Sequence, residues 1–295
     1  MLDLGRRIAD AGDALTPTER RLAALVLDDP TAVAFGTVAD LARRAGTSGP
    51  TVMRFAVKLG FQGFADLQGR VRNQLGEQLR RPTDRLRVHS PDPDSATALE
   101  IHKQVLSAGL AETLEQVDDV ALASAAGIIA GAVGRVLVLP AATSATPGRL
   151  LADNLGWLRS GVVFVNGPTA STAAELADIG PDDVLVVVDF PRYESITVDA
   201  VGHGSDRGTT VLAITDGPLS PLAHSASMWI GVSCHPIGPF DSVLAATAVA
   251  ELLVAEVAGL LRTNATNRLD RIEALWTAAQ VFHPDTRDKR PRETP

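Results

Sequence analysis

The stretch from Val38 to Phe61, VADLARRAGTSGPTVMRFAVKLGF, sets side chains at spacings that suit the reading of a nucleic acid. Arg54 is long enough to bridge the O6 and N7 of a guanine. Thr51 can touch a phosphate or a thymine methyl, and Lys58 can meet a phosphate. All three lie on a helix that opens at Ser48. Ser48 is a good N-cap, its hydroxyl accepting from an otherwise orphan backbone N–H. Gly49 follows, then Pro50 at an early helical position, where its missing N–H does no harm. The candidate contacts to double-stranded DNA are therefore Ser48, Gly49, Pro50, Thr51, Arg54 and Lys58.

Two short helices must position that face. Val52, Phe55, Ala56 and Leu59 recur at i, i+3, i+4 and i+7 and give the second helix one apolar stripe. Ala42 is small, as close helix crossing requires. Gly46 falls where the chain must turn with positive φ and where a Cβ is expected to clash. Val52 is placed to plug the second helix against the first. The reading is a helix-turn-helix. An ordinary helical hairpin in a core would show the same Ala-x3-Gly-x5-Val spacing, so the surroundings matter.

The charge distribution supports the first alternative. The chain carries a net charge of −8, yet residues 36–72 hold six basic residues against two acidic ones. Positive charge gathers around the motif, where phosphate contacts need it, and the acidic remainder argues against nucleic acid wrapping the whole chain. With 45% hydrophobic residues, a substantial core is available. No apolar run approaches the roughly 20 residues of a membrane span. Cys234 is the single cysteine, which excludes an internal disulfide and a cysteine-based zinc site. The location expected is the cytoplasm, with no membrane partner.

Taken in order, Leu2 to Ala11 reads as a short helix with Leu4 and Ile8 inward. Thr16-Pro17-Thr18-Glu19 starts the next, with Thr16 as cap and Glu19 completing a capping box. Asp29-Pro30 stops it. After the motif, a helix from Ala65 to about Leu79 presents Leu67, Val71 and Leu75. Residues 81–97 hold Pro82, Pro91 and Pro93 and read as a linker. Helices are expected at 98–117 and 120–132. From Arg135 apolar runs of strand length alternate with helical patterns: 135–139, 162–165, 184–188, 210–214 and 228–232. A long closing helix is expected from Phe240 to Arg262 and a further one over 265–281. Runs apolar on both faces, separated by helices, indicate a parallel sheet covered on both sides. The expected fold class is α/β. An all-α helix-turn-helix domain (1–80) and a linker (81–97) lead into a five-stranded parallel-sheet domain (98–282), and a flexible tail (283–295) ends the chain.

This order resembles the RpiR-type bacterial transcription regulators, in which a helix-turn-helix is joined to a sugar isomerase (SIS) domain. The residues that carry the likeness are Leu15-Thr16-Pro17, Val38-Ala39-Asp40-Leu41-Ala42, Thr51-Val52-Met53-Arg54-Phe55, Leu59-Gly60-Phe61 and Gly63-Phe64. Pro181-Asp182-Asp183, Ala213-Ile214-Thr215 and Ser220-Pro221-Leu222-Ala223 add a looser match. The resemblance implies a homodimeric or homotetrameric regulator, not an enzyme and without a cofactor or metal. Its SIS domain would sense a sugar phosphate or related carbohydrate derivative.

The ligand loops implied are those after the first and third strands. Here the chain departs from the family. The first loop, usually glycine-rich, is Pro140-Ala141-Ala142-Thr143-Ser144. The second, usually Ser-x-Ser-Gly-x-Thr, is Asp189-Phe190-Pro191-Arg192-Tyr193-Glu194-Ser195. Pro191 removes an amide donor, and Asp189 and Glu194 would repel a dianion. The candidate effector residues are Thr143, Ser144, Asp189, Arg192, Tyr193, Glu194 and Ser195, with Arg192 and Ser144 converging on a small polar ligand. In the alternative, Arg192 pairs with Asp189 or Glu194 and closes the pocket, leaving an oligomerisation module. A sugar-phosphate isomerase is a third reading, with Glu194, His203, His224, His235 and Glu251 as candidate bases.

Overall fold

A computed structural model describes residues 4, 7–8, 11–79, 81–88, 97–218 and 220–283. Most of the expected N-terminal helix, residues 89–96 and residues 284–295 of the expected tail lie outside this set.

The helical part comprises α1 (Pro17–Asp28), α2 (Pro30–Phe35), α3 (Val38–Arg44), α4 (Gly49–Lys58) and α5 (Phe64–Leu79). The capping box at Thr16 and Glu19 forms as its sequence requires, and Thr37 with Asp40 forms a second at α3. Asp29 both ends α1 and caps α2. Leu22, Leu41, Val52, Phe55 and Leu67 fill one core, joined by Leu4 and Ile8. Gly46 has a φ of +61°, and the amide of Thr47 returns to the carbonyl of Ala42. A Cβ at Gly46 would meet nothing within 4 Å. The glycine is thus required by backbone conformation, not by the clash expected.

A short helix α6 (Pro82–Val88) then occupies part of the expected linker. Its Arg85 is buried and pairs with Asp241 at 2.7 Å. Helices α7 (Thr97–Gln116) and α8 (Asp119–Gly131) follow. The sheet strands are β1 (Val136–Pro140), β2 (Val162–Phe164), β3 (Val184–Val188), β4 (Thr210–Thr215) and β5 (Met228–Gly231). All neighbours are parallel, in the order β2-β1-β3-β4-β5. The crossover helices are α9 (Ala145–Leu158), α10 (Thr169–Leu176), α11 (Ser195–Asp206) and α12 (Pro221–Ser225).

Alternate residues of the central strands serve opposite faces. Val136, Val138, Val184, Val186 and Val188 pack under α8, α9 and the later helix α13 (Leu244–Leu260). Leu137, Leu139, Leu185 and Val187 pack with residues of α10, α11 and α12. The five strands match the apolar runs, and the two-sided burial explains why those runs do not alternate.

The closing helix differs from expectation. Residues 236–241 form a two-stranded antiparallel hairpin, β6 (Pro236–Ile237) and β7 (Phe240–Asp241), so that α13 begins at Leu244. Gly238 at φ +61°, followed by Pro239, makes the turn. The last helix, α14 (Arg262–Ala278), turns back at 103° to α13. Its Arg268 donates to the carbonyl of Gly156, and its Trp276 meets Trp157 edge-on at 5.8 Å. No single described helix is long and apolar enough to cross a membrane.

Asp183 fixes the start of the sheet. Its carboxylate accepts from the amide of Arg135 at 2.7 Å, the amide of Gly180 at 3.2 Å and the Arg135 guanidinium at 3.0 Å. Burial opposes its ionisation, but the bonds and charge of Arg135 outweigh burial and hold the carboxyl below its ordinary range. Asp183→Ala should cost about 2–4 kcal/mol at neutral pH, because two amides and a guanidinium lose their acceptor. A lowered folded pKa means the carboxylate contributes fully above about pH 4 and progressively less as acid protonates it. Denaturant melts of both proteins at pH 7 and at pH 3 should therefore show the gap narrowing in acid.

Candidate nucleic-acid interface and ligand crevice

Helix α4 turns Val52, Phe55 and Ala56 into the helical core and leaves Met53, Arg54 and Val57 exposed. Along that exposed side, the Ser48 and Thr51 hydroxyls lie 2.9 Å apart, and the Arg54 guanidinium donates to Thr51 Oγ1 at 3.2 Å. The three form a polar ridge from the helix start. Ser48 occupies the N-cap position, but its side chain makes no capping bond. Its hydroxyl is held by Thr51 instead.

Lys58 departs further from expectation. Its ammonium donates to the Ala14 carbonyl at 2.5 Å and pairs with Glu19 at 2.8 Å. The Glu19 side chain is only 10% exposed. The hydrogen bond from Lys58, and then the amide of Thr16, lower its pKa. Lys58 therefore ties the end of α4 to the start of α1, and is withdrawn from the phosphate role given it above. Arg43 and Arg44 pair with Asp40 and Asp29, Arg70 with Asp66, and Arg72 donates to the Ala34 carbonyl. Of the six basic residues between 36 and 72, Arg54 is the one whose bonds among the described residues go only to a hydroxyl.

The second candidate site follows from the strand order. The chain leaves β1 for β2 on one side and reaches β3 on the other, so the loops after β1 and β3 face each other at the carboxyl ends of the strands. Such a reversal is where open α/β sheets bind ligands. The loop after β3 is organised by Asp189, which is 1% exposed. Its carboxylate accepts from the amides of Phe190 at 2.8 Å and Glu194 at 2.9 Å and from the Thr197 hydroxyl at 2.5 Å. Burial pushes its pKa up, and these bonds partly offset the push. Glu194 reaches across the crevice, where Oε1 accepts from the Ala142 amide of the opposite loop at 2.9 Å.

Ser144 does not take part as expected. It is fully buried, and its hydroxyl donates to the Val188 and Ala141 carbonyls, stitching the two loops together. The Tyr193 hydroxyl donates to Asp216 in the loop after β4. Burial first, and then the Asp216 charge, raise its pKa far above the usual phenol range. Arg192 is exposed, has a left-handed φ of +75°, and has no hydrogen-bond or ion-pair partner among the described residues. The expected alternative, in which it pairs with Asp189 or Glu194, does not occur. Thr143 and Ser195 are exposed at the two loops.

The candidate bases are dispersed. His235 follows β5, the far edge strand, and its Nε2 lies 2.9 Å from Glu112 on α7. His203 bonds the Leu176 carbonyl, and Glu251 is exposed on α13. Glu194 alone of the five lies on a crevice loop.

Residues 3–78 match the helix-turn-helix domain of the rpiR family, and residues 155–256 match the SIS domain. The chain is 29% identical over 225 residues to the bifunctional protein glk of Burkholderia orbicola, covering 75% of this chain and 34% of that protein. It thus spans about a third of the length of the curated relatives it matches first. It is 25% identical over 274 residues to an uncharacterized HTH-type transcriptional regulator of Caldanaerobacter subterraneus, covering 88% of this chain and 90% of that one. Among solved structures, the Vibrio vulnificus NanR protein complexed with ManNAc-6P shares the fold. Its TM-score is 0.54 at 18% identity, covering 94% of this chain and 98% of that chain.

The Lys58 pair makes a checkable demand. Lys58→Met should cost about 1–2 kcal/mol at neutral pH, discounted for the partial exposure of the ammonium, because Glu19 is left nearly buried without its cation. Glu19 titrates below its ordinary range, so the loss should be full above about pH 4.3 and fade in acid. Thermal melts across that range measure it.

Proposed function

We propose that this chain, which belongs to the rpiR family of helix-turn-helix proteins and carries a SIS domain behind that module, is a transcription regulator. It reads double-stranded operator DNA with α4 and senses a small carbohydrate-derived effector in the crevice between the loops after β1 and β3. The observation that carries the reading is the exposed Ser48–Thr51–Arg54 ridge, flanked by Gly49 and Pro50. The effector residues proposed are Thr143, Asp189, Arg192, Tyr193, Glu194 and Ser195, with Ser144 holding the loops. Residues 1–80 act as the reading head, 81–97 as linker, 98–282 as sensor and oligomerisation domain and 283–295 as tail. The protein works in the cytoplasm, has no enzymatic turnover and needs no cofactor.

Arg54→Ala should weaken binding to the specific operator about 5- to 150-fold, equivalent to about 1–3 kcal/mol, while non-specific binding changes little. Lys58→Met should leave the salt slope unchanged, since its charge is already neutralised by Glu19. Footprinting and salt-dependent gel shifts measure both. An unaltered footprint after deletion of residues 1–80, or turnover of sugar phosphates by the purified protein, would refute the proposal.

A symmetric operator calls for at least two reading heads, and α7 offers a surface for pairing. Leu99 is 64% exposed, Ile101 55% and Leu114 47%. Val105, Leu106 and Leu110 are half-buried. Leaving such a helix in water forfeits the gain of burying it. Sedimentation should show a homodimer or homotetramer, and Ile101→Glu should shift it toward monomer at micromolar concentration.

A further inference from the structure

Helix starts and loop amides at the carboxyl ends of strands are ready anion sites, because their N–H groups lack intrahelical partners and the dipole favours negative charge. In this crevice the protein's own carboxylates take such amides from both sides. Glu194 Oε1 sits on the Ala142 amide of the first loop at 2.9 Å. Asp189 sits on the Phe190 and Glu194 amides of the second, the latter one residue before α11. Pro191 offers no N–H. Against these and Asp216, which holds Tyr193, stands one cation, Arg192.

A phosphate dianion entering here would have to displace Glu194 from its amide or lie beside it, with like-charge repulsion in either case. The groups left open have a different character. Glu194 Oε2 is an acceptor with no partner among the described residues. The Arg192 guanidinium is a fork of donors, and Thr143 and Ser195 add hydroxyls that both give and take. A set of acceptors and donors of this kind suits the hydroxyl groups of a ligand, each of which gives and takes a hydrogen bond.

We propose that Glu194 sets the charge specificity of the crevice, so that it takes an uncharged polyhydroxylated ligand such as a free sugar and rejects its phosphate ester. This rests on the sensor reading above and narrows its effector class. Glu194 acts as a specificity residue twice over, by occupying the amide a phosphate oxygen would use and by supplying an acceptor for a ligand hydroxyl.

The test uses the full-length protein and its Glu194→Gln variant. Glutamine keeps a carbonyl oxygen for the Ala142 amide and removes the charge. A cooperative thermal transition and an operator footprint without ligand establish that the variant is folded. The probes are inorganic phosphate, a panel of free hexoses and the matching hexose 6-phosphates, followed by calorimetry and by thermal shift. For the wild type we expect a free hexose to bind at least tenfold tighter than its 6-phosphate, with inorganic phosphate silent. In Glu194→Gln the 6-phosphate should gain at least tenfold and become salt-sensitive. Tighter binding of a 6-phosphate than of its free sugar by the wild type would overturn the charge rule while sustaining the sensor reading. So would a variant with no gain for phosphate. Silence of every probe on both forms, with the footprint intact, would overturn both the charge rule and the sensor reading and leave DNA binding standing.

Discussion

The sheet domain depends on β1 and β3 lying side by side, in parallel, with both faces covered. Val138 is paired with Val186 and Leu137 with Leu185, and every residue of both strands is buried. Interior backbone groups in such a pair are used up by the ladder, since an unpaired one would cost as much as a lost hydrogen bond. Free donors and acceptors are then confined to the strand ends. Asp183 locks one end by holding Arg135. Ser144 locks the other by bonding the Val188 carbonyl across the strands. The loops that leave the second end are brought together by a pairing that has nothing to do with a ligand. The crevice is a consequence of the strand order.

What was legible in the sequence was local. The capping box at Thr16 joins groups three residues apart, and five apolar runs mark five strands because burial on both faces removes alternation. Gly46 was legible because a left-handed turn leaves its mark on a single residue. What escaped was set by partners far along the chain. Lys58 is 39 residues from Glu19 and Ser144 is 44 from Val188, so neither side chain's destination has a local signature. Both were assigned to ligands because their types suit ligands. The hairpin at 236–241 was absorbed into a helix because Phe240 and the alanine-rich run beyond it look continuous. The Gly238-Pro239 pair was the signal that could have separated them. Arg85 was hidden likewise, since a proline-rich charged stretch reads as linker until Asp241 is placed beside it.

The departures of the crevice loops from the family pattern were also visible, but only as repulsion. Geometry changes their meaning. Asp189 and Glu194 do not simply crowd a phosphate position. Each is seated on an amide, and each seat holds a loop in shape. Arg192, which the sequence offered as their partner, is left over. It is kept in a left-handed conformation that costs a non-glycine residue of order 1 kcal/mol. Strain of this size persists only where surrounding bonds over-determine the backbone, and here Asp189 and Tyr193 anchor the chain on both sides of it.

For one half of the chain to influence the other, a coupling free energy requires an element whose arrangement both ends can bias. Among the described ion pairs, Arg85–Asp241 is the one that joins the chain before residue 89 to the chain after 97. Arg85 lies on α6, which begins three residues after the end of α5, and Asp241 ends β7, three residues before α13, whose buried side covers one face of the sheet. A pair whose arginine is buried and whose aspartate is half-buried is a weak source of net stability, because desolvation offsets much of the attraction. It is a strong source of geometry, since either charge left alone in that environment would be costly.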